Sequence, residues 1–136
     1  MKKTLRIVAL AMVVLMMSLA LVSCGGPAKD PSDALDALKE NDYAAAKDTT
    51  IVPTALKFLG VDGVDTVVSG TGKDDDGNYQ HVTIIYFEDK DAANEAWEEV
   101  EEYANDKKDD DASEWVVKKS GAMIYYGTPD GIKAAK

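Results

Sequence analysis

Residues 79–105, YQHVTIIYFEDKDAANEAWEEVEEYAN, contain one change of hydrophobic period, and that change decides the fold class. From Tyr79 to Phe87 the side chains alternate, Val82, Ile84 and Tyr86 on one register and Thr83, Ile85 and Phe87 on the other. Both registers are mostly apolar and rich in β-branched and aromatic residues, the pattern of a strand in the interior of a sheet. After Glu88 the period lengthens. Asp89 can cap a helix, and Ala93, Ala96, Trp97, Val100, Tyr103 and Ala104 recur at helical spacing as one stripe. Glu95, Glu98, Glu99, Glu101 and Glu102 face away from it, so the pattern predicts a helix from about Lys90 to Asn105.

Working upstream, Val64–Thr71 is β-branched without a helical period, and the polar loop Lys73–Asn78 joins it to the first strand as a hairpin. Pro53 suits the first turn of a helix over 51–60 that carries Ala55, Leu56 and Leu59 inward and stops at Gly60. Residues 43–48 are alanine-rich but short and follow the breakers Asn41 and Asp42, and they are read as a strand. Ser32 is a candidate N-cap for a helix over Asp33–Glu40. Downstream, the acidic run to Asp111 ends the long helix. Trp115-Val116-Val117 and Met123–Tyr126 then flank Lys118–Gly121 as a second hairpin, and Thr128-Pro129-Asp130 starts a final helical turn or two. The order strand, helix, strand, strand, helix, strand is the βαββαβ pattern of a ferredoxin-like α+β domain with an added hairpin strand, its helices expected on one sheet face. If residues 43–48 were helical, the result would be a plain α+β layer with two hairpins.

The N-terminal segment reads differently. Lys2, Lys3 and Arg6 precede an apolar run from Ile7 to Val22, interrupted only by Ser18. This is a signal-peptide layout, and the run is shorter than the roughly 20 residues a membrane-spanning helix needs. Leu21-Val22-Ser23-Cys24, followed by Gly25 and Gly26, resembles the lipobox of bacterial lipoproteins. The resemblance covers the signal and cleavage segment alone. It implies a diacylglyceryl group on the Cys24 thiol and cleavage before Cys24. Two acyl chains, at about 0.8 kcal/mol per buried methylene, hold a protein stably on a membrane. The expected organisation is a signal peptide at 1–23, a lipidated, flexible tether at 24–31 and a single domain at 32–136. The expected location is the extracytoplasmic face of the cell membrane.

Cys24 is the only cysteine, so no intramolecular disulfide can form, and a lipidated sulfur is no longer a thiolate for catalysis or metal binding. Processing before Cys24 takes Lys+Arg from 15 to 12 and leaves Asp+Glu at 25, a formal net charge of −13. Such a balance argues against nucleic acid and anionic lipid headgroups, whose phosphates are bound by clusters of Lys and Arg.

Each candidate site has an ordinary structural explanation. Asp74, Asp75, Asp76 and Asn78 around Gly77 offer hard oxygen ligands, but aligning Gly77 with the glycine of an EF-hand loop puts Gly72 and Thr83 where the end carboxylates belong. An Asp-Gly turn accounts for the loop. His81 is the only histidine and lies in a strand, and Ser69-Gly70-Thr71-Gly72 lacks the lysine and helix of a phosphate loop. Tyr79, Tyr86, Tyr125, Tyr126 and Trp115 would form a binding patch if an uncovered sheet face displayed several of them. No catalytic residue, cofactor or metal ligand is assigned. The expected function is a non-catalytic binding or interaction module that engages an envelope protein or small ligand. The alternatives are a carboxylate-based enzyme acting on envelope glycans and a structural subunit of a membrane assembly.

Overall fold

The computed structural model describes residues 26–108 and 114–136. The signal segment, Cys24, Gly25 and the end of the acidic run at Asp111 lie outside the described residues. Chain order is α1 (Pro31–Glu40), β1 (Ala44–Lys47), α2 (Ile51–Phe58), β2 (Val64–Lys73), β3 (Tyr79–Phe87), α3 (Lys90–Asp106), β4 (Val116–Ser120), β5 (Met123–Gly127) and α4 (Pro129–Ala134). The fold class is α+β, with residues 44–47 a strand and a single five-stranded sheet.

The helix starts are fixed locally. The Asp30 side chain accepts from the Ser32 and Asp33 N–H groups, so α1 begins with Pro31 in its first turn, earlier than a Ser32 cap would place it. Asp89 accepts from Ala92 N–H at 2.8 Å and opens α3 where expected. For α2 the cap comes from outside the helix. Asp48 accepts from the N–H groups of Thr50, Ile51 and Val52 at 2.8–2.9 Å, while Thr50 makes no side-chain capping bond. Partial burial alone would raise the Asp48 pKa, but these three N–H donors outweigh it and hold the carboxyl below the usual range. Because the folded-state value is the lower one, the stabilisation is full above about pH 4 and is lost as pH falls through the folded value. Asp48→Ala is expected to cost about 1 kcal/mol, read as a lower denaturation midpoint at pH 7, with the gap to wild type closing in acid.

The strand order is β1-β2-β3-β5-β4, every neighbouring pair antiparallel. β3 is the central strand, as its two apolar registers require. Strands β3 and β4 flank β5 and are joined through α3, which forms one split βαβ unit. The other half departs from the ferredoxin-like arrangement. Strands β1 and β2, although joined through α2, lie side by side and antiparallel, so no strand is inserted between them.

The expectation of helices on one face is corrected as well. Val67, Ile85, Phe87, Ile124 and Tyr126 pack beneath α2 and α3 with Val52, Leu56, Ala93, Ala96, Val100 and Ala104. On the opposite face Val68, Val82, Ile84, Tyr86, Met123 and Tyr125 pack beneath α1 and α4 with Ala34, Leu38 and Ile132. A central strand that is apolar on both registers needs cover on both sides, and the two terminal helices supply the second layer.

That second layer also takes in residues expected to be tether. Pro27 is buried, Ala28 N–H donates to Ala135 C=O at 2.9 Å, and the Tyr86 hydroxyl donates to Ala28 C=O at 2.7 Å. Burial, with Asp30 and Asp33 nearby, pushes the Tyr86 pKa up, so this hydroxyl keeps its proton as a donor. A Cβ at Gly26 would stand 2.8 Å from the Tyr125 hydroxyl. The chain from Gly26 onward is therefore part of the domain.

The β5–α4 corner closes the sheet against β3. Thr128 N–H donates to His81 C=O at 2.8 Å, His81 N–H donates to the Thr128 hydroxyl at 3.1 Å, and the same hydroxyl accepts from Gly131 N–H at the start of α4. Gly127, at φ +146°, and Gly131 both bring bare backbone against the His81 carbonyl. The opposite hairpin end turns on Gly121 at φ +59°, which leaves the two-residue loop Gly121-Ala122 between Ser120 and Met123.

Candidate functional site

Helices α2 and α3 cover only part of their sheet face. The cross-strand row Val67–Ile85–Ile124 lies under them. The next rows on the same face are Ala46–Ser69–Thr83–Tyr126–Val117, then Ala44–Thr71–His81, then Lys73–Tyr79. Ala44, Ala46, Thr71, Lys73 and Tyr79 in these rows are exposed, so the sheet continues past its helical cover as an open strip.

Where cover gives way to open strip there is a groove of about 420 Å³, lined by residues that include Ile51, His81, Thr83, Tyr103, Trp115 and Tyr126. Its aromatic wall is held from several directions. The Trp115 indole N–H donates to Ala104 C=O at 3.0 Å, which hangs the ring on the last turn of α3. Tyr126 packs at a tilt against Trp115 with centroids 6.1 Å apart and edge-on to Tyr103 at 6.5 Å. The Lys107 ammonium stands 5.2 Å from the centre of the Tyr103 ring. Burial pushes the Tyr126 hydroxyl pKa up, although a hydrogen bond with the Thr83 side chain opposes this. The Tyr103 pKa is raised by burial and by the negative charge of Asp48, so both phenols are neutral donors at neutral pH.

Two neighbouring features extend this surface. On the open strip Tyr79 is 61 % exposed, stacks on His81 at 6.4 Å and holds the Lys73 ammonium 4.8 Å from its ring centre. On α2 the outward side chains Ile51 and Phe58 are 76 % and 88 % exposed, and the adjoining Leu59 is also exposed. Residues 51 and 58 are two helical turns apart and share a face, so an apolar stripe runs along α2 to the groove.

The aromatic residues singled out from the sequence thus divide. Tyr86 and Tyr125 belong to the α1–α4 core and lie away from this groove. Trp115 and Tyr126 meet at the groove, and Tyr79 stands on the open strip. Tyr103, Lys107 and Ile51 were not recognised as site residues. Their helical periodicity marks the first two as ordinary stripe and end residues, and only the packing angle of α3 brings them to the groove.

The acidic loop is a self-contained turn. Asp74 Oδ1 accepts from Asp76 and Asn78 N–H, and Oδ2 accepts from the side-chain amides of Asn78 and Gln80. The backbone N–H of Asn78 leads the donors that hold the Asp74 pKa down. Gly77, at φ +82°, closes the turn. Among the described residues no three His, Cys, Asp or Glu side chains converge on a point that could hold a metal ion, and no helix is long and apolar enough to cross a membrane. Ser69 and Thr71 lie within β2, which leads into β3 and not into a helix. Comparison of the chain with protein-family models, with curated proteins and with solved structures finds no match.

Proposed function

We propose that this protein is a bacterial lipoprotein, anchored through Cys24 on the extracytoplasmic face of the cell membrane, whose domain binds an envelope protein or small ligand without catalysing a reaction. The observation that carries the binding reading is the groove itself: three aromatic rings, hydrogen-bonding groups from His81 and Thr83, and an exposed apolar stripe on α2 that continues into it. Binding surfaces characteristically combine apolar and aromatic area with a few placed polar groups. A ligand that inserts an apolar or aromatic group between Ile51 and Trp115 would bury that area and find a donor in Tyr103. The anchor reading is supported by the lipobox-like Leu21–Cys24 and by the single cysteine.

The first test is the intact mass and membrane partitioning of the protein from a lipoprotein-processing bacterium, with Cys24→Ala alongside. A chain beginning at residue 24 with a lipid-sized mass increment, lost in the variant together with membrane retention, is the expected result. An unmodified product would sink the anchor reading. For the groove, Ile51→Glu and Lys107→Glu alter exposed rim positions. Each is expected to weaken binding of a captured envelope partner about tenfold or more, the scale of a loss of 1.4 kcal/mol. Unchanged affinity in both variants would remove the groove as the binding site.

A further inference from the structure

Resting on the anchor reading, we infer that the lysines surrounding the docked N-terminus form a headgroup-binding surface, which seats the domain on anionic phospholipids of the membrane that holds its lipid. A hollow of about 350 Å³ is lined by Gly26, Tyr125, Lys118, Lys133 and Lys136, and a neighbouring hollow that shares Lys118 and Tyr125 wraps the β4 edge to Trp97 of α3 and adds Lys29 and Lys119. Four of these lysines, Lys29, Lys118, Lys133 and Lys136, are gathered near the docked N-terminus of a chain that carries 25 acidic residues, while Lys119 turns to the other sheet face and hydrogen-bonds Asn94 of α3. Asp130 is the one carboxylate lining the two hollows. The exposed glutamates of α3, Glu95, Glu98, Glu99, Glu101 and Glu102, belong to the opposite layer. Asp30 and Asp33 at the start of α1 flank this surface, so it is a local basic patch in a strongly negative total.

The location of Gly26 gives this patch a direction. Pro27 and Ala28 are packed into the α1–α4 layer, so the tether to Cys24 is Gly25 and little more. Two residues of extended chain reach at most about 7 Å. The Debye length at 0.1 M salt is about 10 Å, so a lipid on Cys24 brings its bilayer within screening distance of the lysines that share a hollow with Gly26. Lysine stems can lie along the apolar Val116 and Tyr125 surfaces while the ammonium groups reach phosphate oxygens. Edge-strand protection would explain Lys118 and Lys119 on β4, but it leaves Lys29, Lys133 and Lys136 unaccounted for. With this surface on the bilayer, the aromatic groove opens on the other sheet face.

The test uses the full chain processed by a bacterial host, its lipid verified by intact mass, and added to preformed vesicles of phosphatidylcholine alone or of phosphatidylcholine mixed with phosphatidylglycerol. Amine-reactive labelling read by mass spectrometry then compares Lys118, Lys133 and Lys136 with Lys47 on β1, the edge strand opposite β4. On anionic vesicles the first group is expected to label about fivefold more slowly, the factor one lysine near an anionic surface contributes, with the difference erased by high salt and absent on phosphatidylcholine. Lys118→Glu combined with Lys133→Glu is expected to remove the protection of Lys29 and Lys136. Equal labelling on both vesicle types, in protein whose mass shows the lipid, overturns the proposal and leaves the anchor standing. A mass without lipid overturns the anchor reading and this surface with it. The comparison of vesicle compositions uses the unaltered chain, so it does not depend on the variants folding.

Discussion

Gly127→Ala is expected to destabilise the domain on the order of 3 kcal/mol or more, enough to remove a large share of the stability of a chain this size. Two causes act together. Gly127 sits at φ +146°, a conformation an L side chain rarely adopts, and such backbone strain costs about 1–3 kcal/mol by itself. An added Cβ would also overlap the His81 carbonyl oxygen and stand 2.8 Å from Val82 Cα, and these are backbone atoms of the central strand that cannot swing aside. That carbonyl is the acceptor for Thr128 N–H, so displacing it would also loosen the start of α4. Denaturant unfolding at neutral pH checks the size of the effect. Gly60→Ala is the control. Gly60 has a positive φ of +79° but nothing within 4 Å of a built Cβ, so it should show the backbone cost without the clash. Equal losses at Gly60 and Gly127 would mean that the contact with β3 is not tight.

Ile84→Ala and Ile85→Ala are each expected to cost 2–5 kcal/mol, the range for truncating a buried isoleucine and leaving a cavity. The value lies in the pair. These neighbours point to opposite sheet faces, Ile85 into the α2–α3 core and Ile84 into the α1–α4 core, and both are fully buried. In a two-layer fold with helices on one face only, one of the two would face solvent and its truncation would change stability by no more than about 0.5 kcal/mol. Two large losses, measured by chemical denaturation of each single variant, therefore report the three-layer arrangement directly. One large and one negligible loss would contradict it. The variants are not expected to be additive, because adjacent residues share the backbone of one central strand.

The groove offers a contrast in scale. Ile51 and Lys107 are exposed, so Glu substitutions there should leave stability almost unchanged while altering binding. Core and site are separable in this domain because the site is built where helical cover ends, not within the packed layers.

Local rules made much of the fold legible in the sequence. The period change at Asp89, the capping side chain there, the glycine-terminated hairpins and the Thr128-Pro129 start are each determined within a few residues of chain, and the structure places these elements close to where the pattern puts them. The central position of Tyr79–Phe87 was also legible, because a strand apolar on both registers has no solvent-facing side to offer. The placement of α1 and α4 on the second face was not legible. The demand for two-sided cover is a property of β3, whereas the cover comes from segments tens of residues away, and no local signal says which face a short amphipathic helix will choose. The same holds for β1. Its four residues carry little β propensity, and their strand conformation is stabilised by pairing with β2 through Ala44–Thr71 to Lys47–Val68.

The sequence by itself determined the secondary-structure alphabet of this protein, its single cysteine with the lipobox-like context, and its acidic balance, because these depend on residue type and short-range spacing. Only the tertiary structure decided the strand order and the docking of residues 26–30. It also gathered Tyr103, Trp115 and Tyr126 with Ile51 at one groove, and Lys118, Lys133 and Lys136 around Gly26 in a chain of acidic balance. These juxtapositions join residues far apart in sequence, and they follow from the packing of helices on both faces of one sheet, a geometry that minimises exposed apolar area over the whole chain at once.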